Sequence, residues 1–190
     1  TMLSPTTFGH NESLKGFGYD PEEAAALLAQ AGYPDGAGFP PVTIETVDSF
    51  GRIAEVVQAN LTELGIGAEI DLQEQNAYVD RALQGSVNFG ILGIGMCGDA
   101  SSCGVMFQSG GPFNLAQYEN PELDALFDEA AVLTDSAERK ALYDQAFQII
   151  EDEAAWVPLL YTTIVHVSTK DLNLSRGLEV GDNNLQPFYV

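Results

Sequence analysis

Gly93-Ile94-Gly95-Met96-Cys97-Gly98 has the glycine spacing of a phosphate-cradling loop and follows an apolar run. Such a loop binds a dinucleotide when its last glycine opens a helix and an acidic residue stands about 20 positions on. Here residues 99–111 are full of Ser and Gly and show no helical period, and the preceding run is the third strand pattern of its segment. The spacing therefore reads as a glycine loop at a strand end, where missing side chains let a ligand or another backbone come close. Asp99 stands just beyond it. In open α/β sheets ligands bind off the carboxyl ends of strands, and a carboxylate there can pair with a ligand ammonium by a charge-assisted hydrogen bond. An Asp that only forms the turn is the competing reading. Cys97 and Cys103 have five residues between them, a spacing that fits no common zinc pattern, and His10 and His166 are the two histidines. A local disulfide is the expectation in an oxidising compartment, with two unpaired thiols as the alternative. Glu151-Asp152-Glu153 points its carboxylates in different directions around a helix end, so it reads as a solvated charge run. No Gly-x-Ser-x-Gly elbow is present. His166, in a Val-rich strand pattern, reads as structural. No catalytic residue, metal or cofactor is expected.

The elements that must carry these residues are punctuated clearly. Asp20 as N-cap, Pro21 at the first helical position and Glu23 two residues on open a helix that ends at Gly32. Residues 1–19 lack a period and read as an extended lead-in. Residues 42–47 read as a strand, 52–64 as an amphipathic helix (Ile53, Val56, Val57, Leu61, Leu64), 68–72 as a strand, 77–83 as a short helix and 88–94 as a third strand. That alternation predicts an α/β layer with crossover helices. Asn120 with Pro121 starts another helix, faced by Leu123, Leu126, Phe127 and Ala130. Asp135 starts a last one, faced by Leu142, Ala146, Ile149 and Ile150. Residues 156–161 and 164–168 read as two strands, and 170–190 as an irregular tail.

Charge excludes several functions. Twenty-eight acidic residues face 7 basic ones, for a net charge of −21. Phosphate backbones are bound through Lys and Arg, so nucleic acid is not an expected partner, and an anionic membrane surface would repel the chain. The excess reads as solubility. No apolar run approaches the ~20 residues of a membrane-spanning helix. The sequence opens at Thr1 without a basic and apolar leader, which reads as a signal peptide already absent.

Several segments, in order, resemble the second lobe of the dipeptide, oligopeptide and nickel solute-binding proteins, family 5 of the extracytoplasmic binding proteins. Tyr19-Asp20-Pro21-Glu-Glu-Ala24, with Leu27-Leu28-Ala29-Gln-Ala31-Gly32-Tyr33, is similar to that family's "YDPEKAKALLAEAGY". Residues 54–65 (AEVVQANLTELG) resemble its next helix. Gln75-Asn-Ala-Tyr78 stands where the family often has Trp-x-x-Tyr. Residues 88–95 (NFGILGIG) are similar to the strand entering its Gly-Trp-Gly loop. Tyr118-Glu-Asn120-Pro121-Glu122-Leu-Asp124-Ala-Leu-Phe-Asp128-Glu129-Ala130, and Asp135 to Tyr161, complete the match.

The resemblance implies an α/β lobe over 1–190, a mixed sheet flanked by helices, belonging to a two-lobed clamshell whose first lobe is missing. It implies the solute-binding component of an ABC importer, capturing a peptide or similar small polar solute for a membrane permease. It places the protein in the periplasm or otherwise outside the cytoplasm, a lipid anchor being compatible. Peptide binders of the family use an Asp of the loop after Gly-Trp-Gly to hold the peptide amino group, which Asp99 matches with a small gap. Here Ile94 replaces the Trp, and the Pro that often follows the Asp is absent. The loop Asp48-Ser49-Phe50-Gly51-Arg52 should face the cleft, Ser49 and the first helix amides suiting an anionic group and Arg52 a carboxylate. Arg52 as a solvated surface residue is the plain alternative. The expected ligand contacts are Asp99, Ser49, Phe50, Arg52 and Gln75. The competing functions are an α/β enzyme with its site at Gly93–Asp99, and a sensory or interaction domain that does not transport.

Overall fold

The computed structural model describes residues 2–5, 7–95, 98–161 and 169. The chain divides into two compact units. One holds Phe17–Ile94 and Leu115–Gln117. The other holds Thr1–Gly16, Gly95–Asn114 and the described chain from Tyr118 onward.

The first unit is a parallel sheet between helices. It runs α1 (Pro21–Gln30), β1 (Val42–Val47), α2 (Gly51–Glu63), β2 (Ala68–Gln73), α3 (Gln75–Leu83) and β3 (Gly90–Ile91). The strand order is β2-β1-β3, with Val42 opposite Ala68, Val47 opposite Gln73, and Thr46 opposite Ile91. Residues alternate faces along a strand, and the two cores follow from that alternation. Ile44 and Ile91 pack with Ala54 of α2, joined by Ile53, Val57, Leu61 and Ile70. Val47, on the other face of β1, packs with Tyr78 and Ala82 of α3, joined by Val79 and Val87. Thr46 is fully buried, and its hydroxyl donates to the Ile91 carbonyl at 2.7 Å, tying β3 to the central strand. The helix boundaries obey local chemistry. The Asp20 carboxylate accepts from the Glu23 amide, and Gly32 and Gly65 follow α1 and α2 with positive φ.

The three strand patterns do share one sheet, with shorter limits for the last. Residues 88–94 contribute two strand residues, not seven. Gly90 lies under the Tyr78 ring, where a methyl group would come within 2.3 Å of the hydroxyl. Every described pairing in the sheet is parallel, so no mixed character is found among the described residues.

The second unit is helical. It contains α4 (Gly104–Phe107), preceded by a 3₁₀ turn at Ala100–Cys103, then α5 (Pro121–Val132) and α6 (Ser136–Asp152). The Asn120 side chain accepts from the Glu122 and Leu123 amides, and that of Asp135 from Ala137 and Glu138, as the capping signals require. Leu123, Phe127 and Ala130 of α5 are buried, as are Tyr143, Ala146, Phe147 and Ile150 of α6. Ala146 and Ile150 thus lie on the expected face, while the aromatic Tyr143 and Phe147 are buried more deeply than the partly buried Leu142 and Ile149 that the aliphatic pattern favours. Phe127 packs against both rings. Burying each such side chain contributes roughly 1.5–3 kcal/mol.

Two expectations are corrected here. Residues 99–111 do contain helix, a 3₁₀ turn and one α-turn, too short to register as a period. Within the lead-in, Leu3, Thr7 and Leu14 are buried. Residues 156–161 form no strand: Trp156 lies at a bend and packs edge-on against Phe107, Val157, Leu159 and Leu160 are exposed, and the Tyr161 hydroxyl donates to the Leu3 carbonyl at 2.9 Å. The strand expected at 164–168, with His166, and the 170–190 tail lie outside the described residues.

Candidate functional site

In the sheet unit, β1 lies between β2 and β3. The connection through α2 packs on one face and that through α3 on the other. The carboxyl end of β1 is therefore a topological switch point, where open α/β sheets place their ligands. Ser49 lies there, exposed, in the 3₁₀ turn Asp48–Phe50 that joins β1 directly to α2. Arg52 stands exposed in the first turn of α2 and makes no ion pair among the described residues. Gln75 is the first residue of α3, exposed, just past the end of β2. Its helix is capped by Glu74, whose carboxylate accepts from the Ala77 amide at 3.0 Å. That bond and the neighbouring Asn76 amide hold the Glu74 carboxyl below its usual range.

Phe50 behaves differently from its neighbours. Its ring packs in both cores. It also covers Gly93, where a methyl group would come within 2.4 Å of the ring. The glycine after β3 is thus explained by a ring that closes the end of the sheet.

A charged cluster inside this unit escaped the sequence reading. Glu45, in the central strand, is buried. Its Oε2 accepts from Arg81 Nη1 at 2.5 Å and from Gln73 Nε2 at 2.9 Å, while Gln73 also donates to Asp71 at 2.8 Å. A buried carboxylate requires such donors. Burial first, then the Glu45 charge, raises the pKa of the Tyr78 hydroxyl. The bond from Arg81 fixes α3, and with it Gln75, to the sheet. The one signal in the sequence was an acidic residue at a core-facing position of a strand.

Asp99 belongs to the helical unit and is described there by itself. It caps the 3₁₀ turn: Oδ1 accepts from the Ser101 amide at 2.9 Å. The same oxygen accepts from Arg139 Nη2 of α6 at 3.0 Å. Burial opposes ionisation, but the Ser101 bonds and the Arg139 guanidinium outweigh it and hold the carboxyl below its ordinary range. The turn-forming reading is therefore realised, and an intramolecular cation already faces this carboxylate. Cys103 is buried nearby in sequence. The expected bond to it involves Cys97, which lies outside the described residues.

The acidic run at the end of α6 is divided by its partners. Glu153 accepts from the Tyr118 hydroxyl at 2.5 Å and from Asn120 Nδ2 at 3.1 Å, while Asp152 accepts from Gln148. Burial and donation to Glu153 push the Tyr118 hydroxyl up to about 12. This is a tie between the start of α5 and the end of α6. Among the described residues no group of His, Cys, Asp and Glu is arranged to hold a metal ion.

Comparison with known proteins agrees with this architecture. A family model described as "Bacterial extracellular solute-binding proteins, family 5 Middle" matches residues 1–117. The chain is 34% identical over 168 residues to Heme-binding protein A of Haemophilus influenzae, covering 84% of this chain and 31% of that protein. It is 31% identical over 174 residues to Di/tripeptide-binding protein 4 of Pseudomonas aeruginosa, covering 86% and 32% respectively. Among solved structures it is similar to the periplasmic binding protein DppA of Helicobacter pylori in complex with the peptide STSA. That match has a TM-score of 0.70 and 31% identity, over 82% of this chain and 31% of the other. The chain thus spans about a third of the length of the relatives it matches. With its parallel sheet, switch-point loop and helical pair, the chain belongs to the family 5 bacterial extracellular solute-binding proteins.

Proposed function

We propose that this chain is part of the solute-binding component of an ABC importer, acting outside the cytoplasm, capturing a short peptide or peptide-like solute for a membrane permease. The observation that carries the reading is the switch-point edge of the sheet, where Ser49, Arg52 and Gln75 are all exposed beyond the strand ends. The amides opening α2 and the Arg52 guanidinium suit a solute carboxylate. Asp99, held ionised, suits a solute ammonium. Binding rather than turnover is the reading that the family supports, and Asp152 and Glu153 of the acidic run are held by side-chain donors within the chain. The remainder of a clamshell and the permease are the partners this function requires, and the oxidising compartment it implies keeps a Cys97–Cys103 disulfide as part of the proposal.

Mass spectrometry of solute released from the full-length protein, purified from its native compartment, tests this. Co-purifying short peptides or peptide conjugates are expected. A nucleotide in the released fraction, or conversion of the bound compound by the protein, would contradict it.

A further inference from the structure

Asp99 is held by three stretches of the helical unit. Phe8 pairs with it in an isolated parallel bridge, with Phe8 donating to the Gly98 carbonyl at 2.8 Å and Ala100 donating to the Phe8 carbonyl at 2.9 Å. Gly9, at φ +95°, allows this approach: a methyl group there would lie 2.6 Å from the Ala100 Cβ. Within the turn, the Ser102 hydroxyl donates to the Asp99 carbonyl at 2.8 Å. These bonds fix the backbone. The carboxylate itself is oriented by the Ser101 amide and Arg139, both on Oδ1, with the Ser101 side chain as a further donor.

Arg139 is itself built in. Its Cζ lies 5.1 Å from the centre of the Phe8 ring and 5.6 Å from that of Tyr143. Nη2 also donates to the Tyr143 hydroxyl at 3.4 Å. Arg139 and Tyr143 are four residues apart and so share a face of α6. A planar guanidinium stacked on rings is pre-organised in a way a lysine ammonium is not. Its side chain is 22% exposed, against 39% for Asp99. The cation is thus the more enclosed member of the pair, and the carboxylate is the one that faces outward.

We infer that Arg139 is a positioning residue for solute binding: clamped between Phe8 and Tyr143, it orients Asp99 so that the outward-facing carboxylate is presented to the solute's ammonium group. The inference rests on the proposed role of Asp99 as a solute contact. A loop carboxylate without this clamp would have to be ordered by the solute itself, at a cost in affinity. A solute without a cationic group gains nothing from the clamp.

The test uses the full-length protein that carries this chain, with trialanine and N-acetyl-trialanine as probes in calorimetry. The wild-type protein should prefer the free-amine peptide, and Asp99→Asn should abolish that preference. Arg139→Met should cut the preference by about tenfold, and Arg139→Lys should restore part of it. Thermal unfolding of both Arg139 variants identifies any that fails to fold, in which case the Lys variant alone decides by an intermediate preference. Loss of affinity for both peptides by one common factor, or an unchanged or sharper preference in Arg139→Met, would overturn the inference while leaving Asp99 in place. A wild-type protein without preference, or an Asp99→Asn variant that keeps it, would instead remove Asp99 from the site and the inference with it.

Discussion

The sheet unit and the helical unit solve the same problem, holding polar side chains ready at a surface, in opposite ways. In the sheet unit the exposed residues stand at element ends: Ser49 after β1, Arg52 in the first turn of α2, Gln75 at the start of α3. The strands and helices position them, and their own side chains are left for other work. In the helical unit Asp99 is positioned by side chains and backbone from far along the chain, with Arg139 40 residues away. Regular structure does the positioning in one region, and a tertiary cluster does it in the other. Substitutions should therefore propagate differently in the two.

The largest effect should come from the helical unit's core. Phe107 is fully buried and packs edge-on against Trp156. Phe107→Ala should cost about 3–5 kcal/mol in denaturant unfolding. A loss under 1 kcal/mol would show that the α4 turn is not anchored by this ring. In the sheet unit, Gly93→Val should cost about 1–3 kcal/mol, because the new side chain meets the Phe50 ring. Restoration by Gly93→Val combined with Phe50→Ala would confirm the contact as the cause. Arg81→Met should cost about 1–2 kcal/mol, since it leaves the buried Glu45 carboxylate with one donor fewer. Glu45→Gln in the Arg81→Met background should recover part of that loss.

The smallest effect is on the acid side. The folded pKa of Asp99 is lowered, so its contribution to stability is complete above the ordinary carboxylate pKa near 4. It is lost as the pH falls through the lower folded value. Asp99→Asn should therefore lower the melting temperature at pH 7 slightly and flatten its decline below pH 4. An unaltered acid limb would mean the Arg139 pairing adds nothing to stability.

What was legible in the sequence follows the same division. The caps at Asp20, Asn120 and Asp135, and the alternation from β1 to α3, are local signals, and local geometry enforces them. The positions of Ser49, Arg52 and Gln75 at element ends were readable because element ends are readable. Phe50 stands in the same loop, and its partly buried ring packs against both cores, which the spacing of a turn does not reveal. The pairing of Arg139 with Asp99, the bridge from Phe8, and the Glu45–Arg81 contact join residues with no common period, so a single sequence does not show which residues pair. The α4 turn was missed because four residues are too few for a helical repeat. The third strand was overextended because an apolar run marks burial and not ladder pairing.

The proposed role of Asp99 is to hold the solute's ammonium group in the full-length protein. Calorimetric titration of trialanine into that protein, with Asp99→Ala beside the wild type, tests it. A loss of about 2–5 kcal/mol is expected in the variant, because an enclosed ligand ammonium would lose its partner. Affinity equal to the wild type's would contradict it.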